Sequence, residues 1–375
     1  MKNMNVLYDN QIFSMQNFGG ISRYFCELIK HLDTGIDYDL PVAFSNNFYL
    51  KNPPITAYKT FFPHSKFVGQ TTFIKFFNNR LQQKHFNSAF DLFHPTYYDP
   101  YFLNLIGDKP FVLTIHDLTH EKYGLKTKRD DWSIKGKKIV AERAAHIIAV
   151  SENTKKDIVE LLHINPDNIK VIYHGCSLNP NQQAEMDLPG RFILFVGERS
   201  GYKNFERLAK AFALSMQSDP ELTLICAGKP FSGAEQSLLQ SLNIHNNTLC
   251  FTAGNAELTT LYSSALAFVF PSLYEGFGIP ILEAFGCGCP LILSDASCFP
   301  EIAGDAAAYF DPLNVDAMAE AIKQVIDDAS YRTHLIQLGT ARANHFSWEK
   351  CAKETSQLYE QLILSNEKRA LNHSF

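Results

Sequence analysis

The stretch Ala267-Phe-Val-Phe-Pro-Ser-Leu-Tyr-Glu275-Gly-Phe-Gly-Ile-Pro-Ile-Leu-Glu283-Ala284 changes its pattern twice in a short span. Ala267 to Phe270 is an uninterrupted apolar run, short enough for a strand buried on both faces. Pro271 ends it. Glu275-Gly276-Phe277-Gly278 carries the glycines of a tight loop, and Pro280 suits the first turn of a helix, where its missing N–H costs nothing. Strand, glycine loop and helix N-terminus in this order form the unit of a wound α/β sheet, and such sheets bind ligands beyond their carboxyl strand ends. Two glycines let the backbone approach an anion closely, and free N–H groups with the helix dipole favour phosphate or sugar oxygens. Glu275 in the loop and Glu283 about one turn into the helix then face one crevice as acceptors for sugar and ribose hydroxyls. A helix dipole also favours an acidic first turn with no ligand at all.

Outward from this unit the same alternation continues. Phe192-Ile-Leu-Phe-Val196, Leu222 to Cys226, Thr248 to Phe251, Leu291 to Leu293 and Ala307 to Phe310 read as further strands, with helical patterns at Asn204 to Met216, Leu258 to Ala265 and Val315 to Ile326. The first half repeats the scheme: Asn5 to Tyr8, Leu40 to Phe44, Leu92 to His94, Phe111 to Ile115, His146 to Val150 and Ile169 to Tyr173 read as strands, Ile21 to Leu32 and Thr154 to Leu162 as helices. The polar, Pro/Asn/Gly-containing stretch after Leu178 suits a linker. The expected organisation is α/β, two doubly wound Rossmann-like domains facing across a cleft: 1–178, a linker at 179–190, 191–355, and a helical tail at 356–375 that returns towards the first domain.

Composition narrows the function. Hydrophobic residues are 46% and charged residues 19% of 375, which fits a folded protein too long for one ordinary core. A net charge of −5 argues against nucleic acid as a partner. The eight cysteines include no C-x-x-C pair, and they read as buried reduced thiols of a cytoplasmic protein. No apolar leader and no run of about 18 apolar residues is found. No G-x-G-x-x-G follows the first strand of either half, which excludes a dehydrogenase. Asp37-Tyr-Asp39 matches the D-x-D of metal-dependent transferases, but its place in a turn between helix and strand makes it a polar connection.

These motifs, in order, resemble the retaining glycosyltransferases of family 4, which have the GT-B fold. Glu275 to Glu283 is similar to the family's Glu-x7-Glu signature. Asn17-Phe-Gly-Gly-Ile-Ser-Arg-Tyr24 resembles its N-terminal Gly-Gly loop, and Thr114-Ile-His-Asp117 its His-bearing strand end. Val150 to Thr154, Val171 to Gly175, Phe195 to Asn204 and Ser294 to Glu301 continue the likeness, most closely to mannosyltransferase B-like members. The resemblance implies a hexosyltransferase that takes a nucleotide sugar, GDP-mannose first and a UDP-hexose second, to a glycan or lipid-linked glycan in O-antigen or capsule synthesis. A non-catalytic sugar-nucleotide scaffold is the other reading, and the presence of both carboxylates and both cations opposes it. No cofactor and no metal are implied.

The same resemblance distributes roles. Arg199 and Lys203 neutralise the departing diphosphate; Glu198 stands directly after Gly197, where Arg is frequent in the family, so the role passes first to Arg199. Glu275 holds the sugar and Glu283 the ribose, with Gly276, Phe277, Gly278 and Ile279 around the donor. Gly19 and Gly20 offer backbone N–H groups to phosphate, although any tight turn uses glycine. His116 touches the donor sugar or reacting centre, and Asp117 orients it. By position alone, Thr252 and Asn255 are read as nucleobase contacts, and His94, Tyr97 and Tyr98 join Asp117 on the acceptor side.

Phe61 to Phe86 interleaves Phe61, Phe62, Phe67, Phe73, Phe76, Phe77 and Phe86 with Lys66, Lys75, Arg80 and Lys84. Lys122 to Lys138 adds Lys126, Lys128, Arg129, Lys135 and Lys137. Aromatics beside cations suit either a solvated helix over an ordinary core or a peripheral hold on the anionic inner membrane.

Overall fold

Parallel strands with helices packed between them build both halves of the chain. The computed structural model describes residues 3–51, 55–63, 67–124 and 128–372. Two units emerge, Met1–His174 with Trp348–Phe375, and Gly175–Ser347.

The first unit runs β1 (Met4–Tyr8), α1 (Gln11–Met15), α2 (Gly20–Lys30), β2 (Ile36–Asp39), α3 (Gln70–Phe86), β3 (Leu92–His94), β4 (Val112–Ile115), α4 (Thr119–Tyr123), α5 (Lys128–Arg143), β5 (His146–Ala149), α6 (Glu152–Asp157) and β6 (Ile169–Val171). β2-β1-β3 and β4-β5-β6 are parallel sheets, and a parallel bridge between Phe93 and Phe111 joins them. Alternation along the strands fills two cores: Val6, Tyr8, Leu92, Val112 and Ile148 serve one face, Leu7, Phe93, Leu113, Ile147 and Ala149 the other.

One strand was expected too late in the chain. The run Leu40 to Phe44 is not a strand; Ile36–Asp39 is, paired with β1 from Met4↔Ile36 to Leu7↔Asp39. β2 is an edge strand with one ladder, so its alternating Ile-Asp-Tyr-Asp lacks the apolar run of a central strand, and Pro41 has no N–H to continue pairing. Asp37 and Asp39 therefore lie on a strand and not in a turn, where they accept from the Asn3 and Asn5 side-chain amides at 3.3 and 3.2 Å.

The second unit runs β7 (Phe192–Val196), α7 (Phe205–Ser215), β8 (Thr223–Ala227), α8 (Gly233–Ser241), β9 (Thr248–Phe251), α9 (Asn255–Ser264), β10 (Ala267–Phe270), α10 (Ile279–Gly286), β11 (Leu291–Ser294), α11 (Phe299–Ala303), β12 (Ala307–Phe310), α12 (Val315–Asp327) and α13 (Ala329–Ala343). Its single parallel sheet has the order β12-β11-β10-β7-β8-β9. The winding reverses between β7 and β10, and a crevice opens at that place in a doubly wound sheet. The stretch expected as a linker is tied to this unit: Ala184 N donates to Thr260 Oγ1 at 2.9 Å, and that hydroxyl donates to Ala184 O at 2.9 Å.

The last helix, α14 (Trp348–Asn372), buries Trp348, Cys351, Ala352, Leu358 and Tyr359 in the first unit's core. Among the described residues no helix is long and apolar enough to cross a membrane.

Candidate active site

In the second unit the chain leaves β7 and β10 side by side, and their two loops are stitched together. Leu273 N donates to Tyr202 O at 2.7 Å. Asn204, buried and left-handed at φ 60, donates its side-chain amide to Pro271 O at 3.0 Å and Pro312 O at 2.8 Å. Asn tolerates that conformation better than most residues. The stitching presents Lys203 to Glu275, and Nζ and Oε1 are 2.6 Å apart. With side chains 20% and 14% exposed, this pair is open to a ligand yet shielded enough for strong electrostatics.

Glu275 is further held by Ser297 after β11, whose hydroxyl donates to Glu275 O at 2.6 Å and accepts from Glu275 N at 3.2 Å. Ser297 was missed in the sequence, because only folding brings it to the loop. Gly276 and Phe277 are buried beside the pair. Gly278 caps α10 at φ 83, and a Cβ there would stand 3.2 Å from Ile281 Cδ1 and from Phe299 Cε1. Ile279 opens the helix with Pro280 next, as expected. Glu283 is 4% exposed and accepts from the Tyr262 hydroxyl at 3.3 Å. Burial and this carboxylate push the Tyr262 phenol well above its usual range.

Arg199 departs from its expected role. Its Nε donates to Glu235 at 2.8 Å and its Nη2 to Lys229 O at 2.6 Å and Pro230 O at 3.1 Å, with the guanidinium over the Phe231 ring. The side chain is 4% exposed. It ties the end of β7 to the start of α8, and Lys203 is left as the cation at the crevice. Glu198 turns outward to Lys229 at 2.7 Å. Thr252 follows β9, its hydroxyl donating to Gly228 O at 3.4 Å, and Asn255 opens α9. β9 lies two strands from β7, roughly 10 Å away.

In the first unit, Gly19 precedes α2 and Gly20 opens it, with no side-chain cap on the helix. His116 follows β4, edge-on to Tyr24 and stacked on His174 with ring centroids 4.9 and 5.7 Å apart. Burial pushes its imidazole down to about 4, so it is neutral at pH 7. Asp117 does not orient it; the carboxylate accepts from Thr119 N at 3.0 Å. Although burial pushes its carboxyl up, Lys137 and Thr119 hold it below the usual range.

Two expected acceptor-side residues are core. His94 is fully buried and uses both nitrogens, Nδ1 with the Tyr359 hydroxyl at 2.6 Å and Nε2 with Thr114 Oγ1 at 2.9 Å. Tyr98 is buried, and its hydroxyl accepts from His116 N at 3.3 Å. Lys137, read as a surface cation, is buried as well, donating to Asp117 O at 2.9 Å and pairing with Glu121 at 3.0 Å. Lys66 and Lys126 lie outside the described residues.

Tyr97 does reach a cavity, at the carboxyl ends of β1 and β3, which it lines with Asn10, Gln11, Lys75, Asn79, Asp99 and Tyr101. The sequence reading missed Asp9 and Asn10 there. Asp9 is fully buried and accepts from Thr96 Oγ1 at 2.6 Å, Thr96 N at 2.9 Å and Gln11 Nε2 at 2.7 Å, which fixes the loop. Asn10 is 1% exposed, and its side-chain N–H group has no protein partner. A polar residue directly after an apolar strand was the only signal available.

The buried imidazoles give a pH prediction. Burial lowers His94 to about 3 and His116 to about 4, against about 6.5 in an unfolded chain. Below that value the unfolded state binds more protons, so stability is full above about pH 6.5 and falls with pH, by about 1.4 kcal/mol per pH unit for each such group. Buried Asp9, raised by burial, works in the opposite direction. The comparison is therefore with His94→Gln, whose urea-unfolding stability is expected to fall less steeply between about pH 6.5 and 5. Equal slopes would show that His94 titrates normally.

A family model described as Glycosyltransferase Family 4 matches residues 18–179, and one described as Glycosyl transferases group 1 matches residues 181–342. Between them they take in β2 to β12 and the loops that carry His116, Lys203 and Glu275. The chain belongs to glycosyltransferase family 4. This glycosyltransferase is 29% identical over 377 residues to O-antigen chain mannosyltransferase B of Escherichia coli, covering 92% of this chain and 96% of that one. It is 29% identical over 233 residues to the MMP alpha-(1->4)-mannosyltransferase of Mycolicibacterium hassiacum, covering 60% of this chain and 56% of that one. Anabaena HepE, solved in complex with UDP and glucose, superposes with a TM-score of 0.73 at 18% identity over 96% of this chain and all of that one. The sucrose-phosphate synthase of Thermosynechococcus elongatus gives 0.75 at 22% identity over 97% of this chain and all of that one. The fold is GT-B. In this glycosyltransferase the Lys203–Glu275 pair lies at the switch point of the second unit's sheet.

Proposed function

We propose that this glycosyltransferase is a retaining hexosyltransferase that moves mannose from GDP-mannose to a glycan or lipid-linked glycan during cell-surface polysaccharide synthesis, without a metal ion. The Lys203–Glu275 pair at the switch point carries the reading. A fixed ammonium there stabilises charge developing on the leaving diphosphate, the task a divalent ion performs elsewhere. Glu275 accepts from the sugar hydroxyls and Glu283 from the ribose. The acceptor hydroxyl attacks the anomeric carbon from the face the leaving group departs; the new C–O bond forms as the sugar–phosphate C–O bond breaks, and the acceptor proton goes to the leaving phosphate oxygen. His116, neutral, offers the sugar a hydrogen-bonding group with no charge. Tyr97, which lines a small polar cavity at the strand ends, stands on the acceptor side. Mannose and the O-antigen pathway are supported by the name of the Escherichia coli relative and the length it shares.

A hydrolysis screen with GDP- and UDP-sugars tests the donor. Turnover of GDP-mannose, undiminished by a chelator, is the expected result; turnover of UDP-sugars alone replaces the donor. NMR of the product's anomeric centre checks retention, and inversion there removes the same-face step.

A further inference from the structure

Helix α3 is built inside out. Its buried residues are Ile74, Asn78, Gln82 and Phe86, and the two amides make the attachments. Asn78 Nδ2 donates to Ser14 Oγ and Phe44 O at 2.8 Å each, and its Oδ1 accepts from Ala43 N and Phe44 N at 2.8 and 2.9 Å. Gln82 Nε2 donates to Tyr8 O at 3.4 Å. The phenyl groups point the other way: Phe73, Phe76 and Phe77 are 41%, 53% and 36% exposed. An ordinary surface helix has the opposite arrangement.

The segment before the helix extends this face. Phe62 and Phe67 are 61% and 48% exposed, and the rings touch in series. Phe61 stacks on Phe73 at 4.5 Å and meets Phe62 edge-on at 5.0 Å, Phe62 meets Phe67 at 5.9 Å, and Phe73 and Phe76 each meet Phe77. The backbone beneath is pinned. The Gln70 side chain donates to Phe61 O and Phe62 O at 2.8 and 3.1 Å, and Asn46 brackets Phe61 N and O at 3.0 and 2.8 Å. Phe62 is held at φ 45, a left-handed conformation a bulky residue adopts only at a cost. A contiguous aromatic patch held outward in this way marks an interaction surface.

Charge selects the partner. Between Asp39 and Asp91 the sequence contains no Asp or Glu, while Lys51, Lys59, Lys66, Lys75, Arg80 and Lys84 fall within it, in a chain of net charge −5. The Arg80 guanidinium lies over the Phe76 ring at 5.0 Å. A protein partner would have to bring an acidic rim and an apolar centre shaped to these rings. A bilayer instead offers an apolar layer beneath a uniformly anionic plane, which matches rings interleaved with cations of one sign. We infer that the face formed by Phe62, Phe67, Phe73 and Phe76 with Arg80 and Lys84 docks this glycosyltransferase on an anionic lipid surface. The docking goes beyond the proposed reaction and does not depend on the donor.

The test is flotation of the full chain with vesicles of phosphatidylcholine alone, or of equal parts phosphatidylcholine and phosphatidylglycerol, at low salt. Binding to the anionic vesicles only is expected, with Phe62→Ser/Phe73→Ser/Phe76→Ser and, separately, Arg80→Glu/Lys84→Glu each weakening it at least tenfold. Both variants change exposed side chains outside the reaction site, so nucleotide-sugar hydrolysis in solution and melting temperature stay at wild-type values. That readout separates failure of docking from failure of the proposed reaction. Absence of wild-type binding, equal binding to neutral vesicles, or full binding by either variant overturns the inference. Self-association that the aromatic substitutions abolish, with no vesicle binding, overturns it in favour of a protein partner.

Discussion

Glu275→Gln is expected to lower kcat for sugar transfer by about a thousandfold, at the upper end for loss of one electrostatic contact to a transition state, while the melting temperature barely moves. The side chain is 14% exposed and its Oε1 lies 2.6 Å from Lys203 Nζ. Glutamine keeps the shape, and the Ser297 bonds are to the backbone of residue 275, so the loop stays in place. What is lost is the charge that orients the ammonium and the anionic acceptor for the sugar hydroxyls. An interaction that strengthens only as the sugar departs lowers kcat and kcat/KM together. Steady-state kinetics with a fixed acceptor read this directly. Glu275→Ala is expected to abolish transfer, and full activity in that variant with the fold intact would end the assignment of the site.

Lys203→Met is expected to cost a further measurable quantity, affinity for the nucleoside diphosphate product. The methionine side chain fills much the same space without the charge. If Lys203 faces the leaving group, kcat falls by about a hundredfold or more, and product inhibition by the diphosphate weakens in parallel because the same ammonium holds the free product. A kcat within threefold of wild type would remove the role. Arg199 supplies the contrast. Its buried guanidinium is committed to Glu235 and to two backbone carbonyls, so Arg199→Met is expected to leave those carbonyls without their donor and Glu235 with only its Ser232 bonds, and to lower the melting temperature first.

Much of this was legible in the sequence where local pattern and tertiary role coincide. Ala267 to Phe270 is buried on both sides and reads as an apolar run; Gly278 and Pro280 then mark the start of α10, and the structure keeps each in that place. The errors fall where tertiary context overrules pattern. β2 reads as polar because an edge strand buries so little of itself, and the inward stripe of α3 is half polar, with Asn78 and Gln82 docking between Ile74 and Phe86. Arg199 looked like a crevice cation until Glu235, far along the chain, came back to it. His94 and Tyr98 stand near the carboxyl strand ends yet are buried, and their burial depends on Tyr359 and Lys137, which arrive from other elements.

The attachment of α14 to the first unit has a consequence for biogenesis. Tyr359 hydrogen-bonds with Tyr8 and His94, at 3.1 and 2.6 Å, so Tyr8 waits in translation for a partner 351 residues further along. Domains generally fold as they emerge from the ribosome. Here Gly175–Ser347 is contiguous and can close first, while the core of the first unit lacks Trp348, Leu358 and Tyr359 until α14 has been made. Chaperone capture of nascent chains should therefore be heaviest on the half that is synthesised first.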